Sequence, residues 1–85
     1  MTRVTIKDVC RAYNVTREDV EQIDNKQLFI VNSAEHGMIL VSYYTIVGRR
    51  IYGQWYITNT KYSHTTSKQL TQFARMYDTI YTDSL

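Results

Sequence analysis

Proline is missing from all 85 residues, cysteine occurs once, as Cys10, and glycine only three times. Without proline, no loop carries a fixed kink. A single thiol can neither form an internal disulfide nor hold a zinc ion alone. Chains this small in an oxidising compartment usually need disulfide staples, so the composition points to a reducing cytoplasm. Three glycines leave no glycine-rich phosphate loop and no dinucleotide fingerprint. No apolar run exceeds the four residues of Met38–Val41, far below the ~20 a membrane-spanning helix needs. Met1–Thr5 also lacks the apolar stretch of a signal peptide. Neither a membrane nor a small-molecule substrate is therefore expected as a partner.

Acidic residues are missing from one long stretch. Between His36 and Tyr77 there are five basic residues (Arg49, Arg50, Lys61, Lys68, Arg75) and no carboxylate. The preceding segment, Met1–Glu35, is close to neutral, and the tail adds Asp78 and Asp83. Such segregation creates a field that attracts polyanions; it also arises by chance in small domains and is then merely solvated.

What is present suffices for one domain. Hydrophobic residues make up 44% and charged residues 21%, a globular composition. Ile6, Val9, Cys10 and Tyr13 fall at helical spacing, with Thr5 as N-cap, Asp8 three residues on, and Asn14 as a left-handed stop. Thr16 caps an expected second helix, Arg17 to about Ile23, with Val15, Val20 and Ile23 packing inward. Asp24-Asn25 marks a turn. Three strands are then expected: Gln27–Asn32, Met38–Val47 and Gln54–Thr60, with Ile51-Tyr52-Gly53 as a hairpin turn. A last helix is expected from about Ser67 to Tyr77, capped by Thr65 or Thr66 and extended by Ile80 and Tyr81. The expected fold class is α+β in the order ααβββα. It divides into a helical hairpin over 1–25, a three-stranded, mostly antiparallel sheet over 27–61, and a C-terminal helix over 66–81.

Two segments invite a functional reading. Val9–Ile23 has the spacing of a helix-turn-helix, but its second helix would present Glu18, Asp19 and Glu21, which phosphates repel. The hairpin Tyr43–Tyr62 sets Tyr43, Tyr44, Tyr52, Trp55, Tyr56 and Tyr62 beside Arg49, Arg50 and Lys61. Strand alternation places Tyr44, Ile46, Gly48 and Arg50 on one face and Tyr43, Thr45, Val47 and Arg49 on the other. Exposed tyrosines can stack on bases while arginines meet phosphates; tyrosine and arginine are equally the residues of protein interface hot spots. The candidate binding residues are Arg49, Arg50, Lys61, Lys68, Arg75, Tyr44, Tyr52, Tyr56 and Tyr62. No catalytic, metal or cofactor site is expected. His36 and His64 are the only histidines, and Cys10 lies on an apolar helix stripe that favours an inert, packed thiol.

Ser42-Tyr43, Thr45, Val47, Trp55-Tyr56-Ile57-Thr58, Lys61-Tyr62-Ser63, Thr65-Thr66-Ser67-Lys68-Gln69-Leu70 and Phe73 form a pattern. It resembles a domain of short phage- and plasmid-encoded proteins of unknown function, in which a hairpin precedes a Lys-Tyr-Ser-x-Thr-Thr-Ser-Lys run opening a helix. The resemblance implies a mobile-element origin and brings no reaction. The Thr-Thr-Ser hydroxyls can cap helix amides or, with Lys61 and Lys68, hold a phosphate.

Three functions follow as expectations. The first is a non-enzymatic accessory protein that binds nucleic acid or a nucleoprotein complex. The second is a host-takeover or anti-defence inhibitor, of the anti-CRISPR kind, that grips a nucleic-acid-handling host protein. The third is a helix-turn-helix regulator. An edge strand would allow a homodimer.

Overall fold

The computed structural model describes residues 3–24, 26–60, 64–83 and 85. Helix α1 spans Ile6–Tyr13 and α2 spans His64–Met76. The strands are β1 Val20–Gln22, β2 Leu28–Ser33, β3 Gly37–Ser42, β4 Thr45–Ile51, β5 Gln54–Thr58 and β6 Thr79–Thr82. They form one six-stranded sheet in sequence order. The first five strands meander antiparallel, and β6 pairs parallel to β5. A parallel neighbour needs a crossover of a dozen or so residues, which α2 supplies. The class is α+β as expected, but the three-stranded sheet and the ααβββα order are corrected to a six-stranded mixed sheet with one helix on each face.

The α1 boundaries match the sequence reading because their signals are local. The Thr5 amide and hydroxyl donate to Asp8 Oδ2 at 2.9 Å, and the Asp8 amide donates back to Thr5 Oγ1 at 3.2 Å. Asn14 closes the helix at φ 53°. The expected second helix does not form. Thr16 caps only a single 3-10 turn, Arg17–Asp19, and Val20–Gln22 pairs with Phe29–Val31 of β2. A seven-residue helix is marginal by itself, whereas the apolar β2 strand gains a ladder partner. With that helix gone, the helix-turn-helix reading and the helical hairpin over 1–25 fall together.

The long strand expected over Met38–Val47 breaks at Tyr43 (φ 56°), whose amide donates to Gln27 O at 2.9 Å. The Tyr13 hydroxyl donates to Tyr44 O at 2.7 Å and pins the turn. Burial holds the Tyr13 phenol above its usual range. The β4–β5 turn is formed by Tyr52 (φ 50°) and Gly53 (φ 80°), the two positive φ angles of a type I′ hairpin. For a tyrosine each such position costs roughly 1–2 kcal/mol.

One irregularity decides which side chains share a face. Leu40 pairs with Gly48, but Val41 pairs with Ile46, so β4 carries an extra residue opposite β3. This bulge overturns the expected alternation. Ile46 joins the α1 face, while Val47 turns to the α2 face. Gly48 is tightly enclosed: a Cβ there would lie 3.0 Å from Leu40 Cβ and 3.1 Å from both Ile57 Cγ2 and the Tyr56 carbonyl.

Two cores result. On one face Val9 of α1 packs with Val4, Val20, Phe29, Val31, Ile39 and Val41. On the other, Leu70 and Phe73 of α2 pack with Ile23, Leu28, Leu40, Val47, Trp55 and Ile57. Phe73 meets Trp55 edge-on at 5.2 Å and stacks on Tyr77 at 4.7 Å. The expected C-terminal helix is corrected at both ends. It starts at His64, so Thr65 and Thr66 lie inside it rather than capping it. It stops at Met76, and Ile80 and Tyr81 belong to β6, whose Thr-Ile-Tyr-Thr composition suits a strand.

Candidate functional site

Amphipathic α2 fixes the site. Its buried stripe is Thr66, Gln69, Leu70 and Phe73. On β3, the Ser42 hydroxyl donates to Gln69 Oε1 at 3.0 Å and lies 3.2 Å from Thr66 Oγ1. These buried hydrogen bonds tie the helix underside to the sheet, and such a network fixes position as well as adding stability. Ser42, Thr66 and Gln69 all belong to the resemblance pattern, and in the fold they are one structural contact. The helix is thereby held with His64, Ser67, Lys68, Thr71, Gln72, Arg75 and Met76 along a groove of about 710 Å³.

Lys26 completes that groove from the β1–β2 connection. Its ammonium donates to Gln72 Oε1, a neutral acceptor. The groove lining therefore holds three fixed cations, Lys26, Lys68 and Arg75, plus the His64 ring, and no carboxylate. Asp24 stands just beyond it, where Oδ2 accepts from Gln72 Nε2 at 3.4 Å. Lys68 and Arg75, seven residues apart, are spaced roughly 10 Å along the helix axis. Across Ser67 and Thr71, which line both, lies a second, separate cavity of about 200 Å³, lined also by Thr58, Asn59, Thr60, Leu70 and Tyr81.

The other candidate residues do not assemble here. Arg49 lies on the opposite face of the sheet, half-buried beside its cross-strand partner Tyr56, and its Nε is enclosed without a hydrogen-bond partner. Arg50 is on the α2 face but lines a separate cavity with Glu21, Asp78, Trp55 and Tyr77; its Nη1 reaches Met38 Sδ at 3.7 Å. Two carboxylates share that cavity, so Arg50 adds little to a polyanion site. Tyr44 and Tyr52 are exposed at the turns on opposite ends of β4, roughly 25 Å apart at strand rise. Lys61 and Tyr62 lie outside the described residues. Of the seven candidates among the described residues, only Lys68 and Arg75 share the groove.

Sequence reasoning missed Lys26 and His64. Lys26 lies outside the acid-free stretch and 46 positions from Gln72, and no local signal announces such a contact. His64 had one: with Lys68, Thr71 and Arg75 it continues an i, i+4, i+7, i+11 stripe. Among the described residues, no group of three or more His, Cys, Asp or Glu side chains could hold a metal ion, and no helix is long and apolar enough to cross a membrane.

Residues 16–83 match the profile of DUF8033, described as a family of unknown function. The chain belongs to that family. The matched span takes in the whole sheet and α2, so the groove lies within the DUF8033 region and α1 lies outside it. No curated protein and no solved structure matches the chain.

Proposed function

We propose that this DUF8033 chain is a non-enzymatic binding protein whose groove along α2 takes the phosphate backbone of a nucleic acid. The observation that carries the reading is the convergence of Lys26, His64, Lys68 and Arg75, from two distant segments, on one groove whose lining has no carboxylate. Cations spaced along a helix suit the repeating charge of a phosphate backbone. Tyr81, in the neighbouring cavity across Ser67 and Thr71, offers a ring against which a base can stack. A single strand fits this arrangement better than a duplex, because stacking needs an unpaired face. The resemblance to phage- and plasmid-encoded proteins agrees with an accessory role in nucleic-acid handling.

Fluorescence anisotropy with labelled single-stranded oligonucleotides tests this. Three fixed cations should give a slope of about −2 in log K against log salt for single strands. Affinity should vary little with base sequence. Replacing Lys68 and Arg75 together by alanine should flatten the slope and weaken all oligonucleotides alike. A pull-down from lysate with and without nuclease separates the alternative. A specific host protein retained after nuclease, with salt-insensitive or absent oligonucleotide binding, would favour the inhibitor reading instead.

A further inference from the structure

The face of the sheet that carries α1 is only half covered. Six strands span about 24 Å, whereas a helix is about 10 Å across. The core beneath α1 reaches from β1 to Ile46 of β4 and takes in no residue of β5 or β6. Past that limit, cross-strand pairing lines up Arg49, Tyr56 and Ile80 on this face, and Ile51 follows Arg49 two residues on. Ile51 and Ile80 are open, at 45% and 47% exposure, while Arg49 and Tyr56 are half-buried.

Arg49 is the odd member of the row. Its Nε is the one buried side-chain nitrogen or oxygen without a hydrogen-bond partner among the described residues, and no described carboxylate lies within ion-pairing distance of it. Native structures leave few such atoms unpaired, because an enclosed donor without an acceptor costs free energy. A guanidinium takes a carboxylate through two parallel hydrogen bonds, so a carboxylate arriving on this face would supply what the fold does not.

The surroundings select the occupant. A phosphate backbone calls for a row of cations, but β4, β5 and β6 place only Arg49 here, since Arg50 lies on the other face. One arginine among a tyrosine and exposed isoleucines is the make-up of a protein contact. A second copy brings no acid to it from its own open face or from its helices. Strands β4, β5 and β6 contain no Asp or Glu, and the exposed charged residues of α1 and α2 are Lys7, Arg11, Lys68 and Arg75. We propose that the β4–β6 half of this face docks a helix of a different protein, one whose apolar stripe covers Ile51, Tyr56 and Ile80 and carries a glutamate or aspartate that pairs with Arg49. The strand axes from β4 to β6 span about 10 Å, room for one helix beside α1. The surface is on the face opposite the α2 groove, and the proposal stands independently of nucleic-acid binding.

The test uses a library of helical peptides, randomised along one face and displayed on yeast. Selection on the wild-type protein should enrich helices with an acidic residue inside an apolar stripe. Their binding should fall about tenfold or more on Arg49→Met, which keeps the bulk and removes the charge. It should also weaken on Ile80→Ser, an exposed position whose replacement does not threaten the fold. Enriched helices that ignore both substitutions or carry no acid would overturn the proposal, and so would a selection that enriches nothing. Arg49→Met should leave the urea midpoint unchanged or raise it, because an unpaired enclosed donor is removed; a lowered midpoint would show an internal role for the charge and contradict the docking surface. In isotope-labelled wild type, the Arg49 Nε–H resonance should stay in place on adding a single-stranded oligonucleotide and on raising the protein concentration. Movement with the oligonucleotide would make nucleic acid the occupant, movement with concentration a second copy, and either would overturn the proposal.

Discussion

The two faces of the sheet are closed by different means. Over β1–β3, α1 is an eight-residue helix that buries Val9 in an apolar core and is tied to the sheet at an exposed rim, where the Tyr13 hydroxyl meets Tyr44 O. On the other face, α2 buries two polar residues, Thr66 and Gln69, beside Leu70 and Phe73. The polar pair meets Ser42, and Phe73 joins an aromatic group with Trp55 and Tyr77. The polar tie of α1 lies at an exposed rim, whereas those of α2 are buried beneath the helix. An apolar contact tolerates sliding, whereas a buried hydrogen bond fails when displaced. This difference is why the outward face of α2 can present Lys68 and Arg75 at a defined place beside Lys26.

Matched core truncations probe that contrast most strongly. Phe29→Ala and Phe73→Ala should each cost about 3–5 kcal/mol in urea unfolding, since both rings are fully buried. Only Phe73→Ala should also weaken oligonucleotide binding under conditions where both variants remain folded. Equal effects on binding would erase the distinction between the two faces. Gly48→Ala comes next. The added methyl meets Leu40, Ile57 and the Tyr56 carbonyl, and overpacking of this kind costs about 1–3 kcal/mol, measurable as a lowered thermal midpoint.

Ser42→Ala sharpens the comparison more finely. It removes the donor to buried Gln69 Oε1, with an expected loss on the order of 1 kcal/mol. Hydrogen exchange should quicken in α2 and stay unchanged in α1; the opposite pattern would place the coupling elsewhere. The smallest effect concerns α1. The Thr5 amide, and then its hydroxyl, hold the Asp8 carboxyl below its ordinary value of 3.8. A depressed folded-state pKa contributes stability that is present above that value and lost as pH falls through the lower, folded one. Thermal melts between neutral pH and pH 3 should show this acid-side loss, and Asp8→Asn should remove that part of it.

Legibility in the sequence followed the range of the interactions. The α1 helix was readable to the residue because Thr5, Asp8 and Asn14 act on near neighbours. The Tyr52-Gly53 turn was readable for the same reason. Val20–Gln22 was not: its apolar spacing fits a helix, and only the demand of β2 for a ladder partner makes it a strand. The bulge in β4 was equally hidden, since it is defined by pairing with β3, and it sent Ile46 to the face opposite the one alternation gives. In β6, helical continuation competed with β propensity, and pairing with β5 decided the outcome. The groove followed the same rule. Lys68 and Arg75 were visible as an acid-free helix face, Lys26 reaches them only through the fold, and Arg49 was separated from them by the sheet.

The central claim is that cations on the α2 face, and not basic charge in general, take the polyanion. The most direct measurement compares Lys68→Ala/Arg75→Ala with Arg49→Ala/Arg50→Ala, two variants that each lose two positive charges. Salt-dependent anisotropy with one labelled single strand reads both. The groove variant should lose binding and most of its salt slope, about 0.7 of a unit per cation removed on a single strand, while the β4 variant stays near wild type. Equal losses in the two variants, or a larger loss from Arg49 and Arg50, would contradict the account.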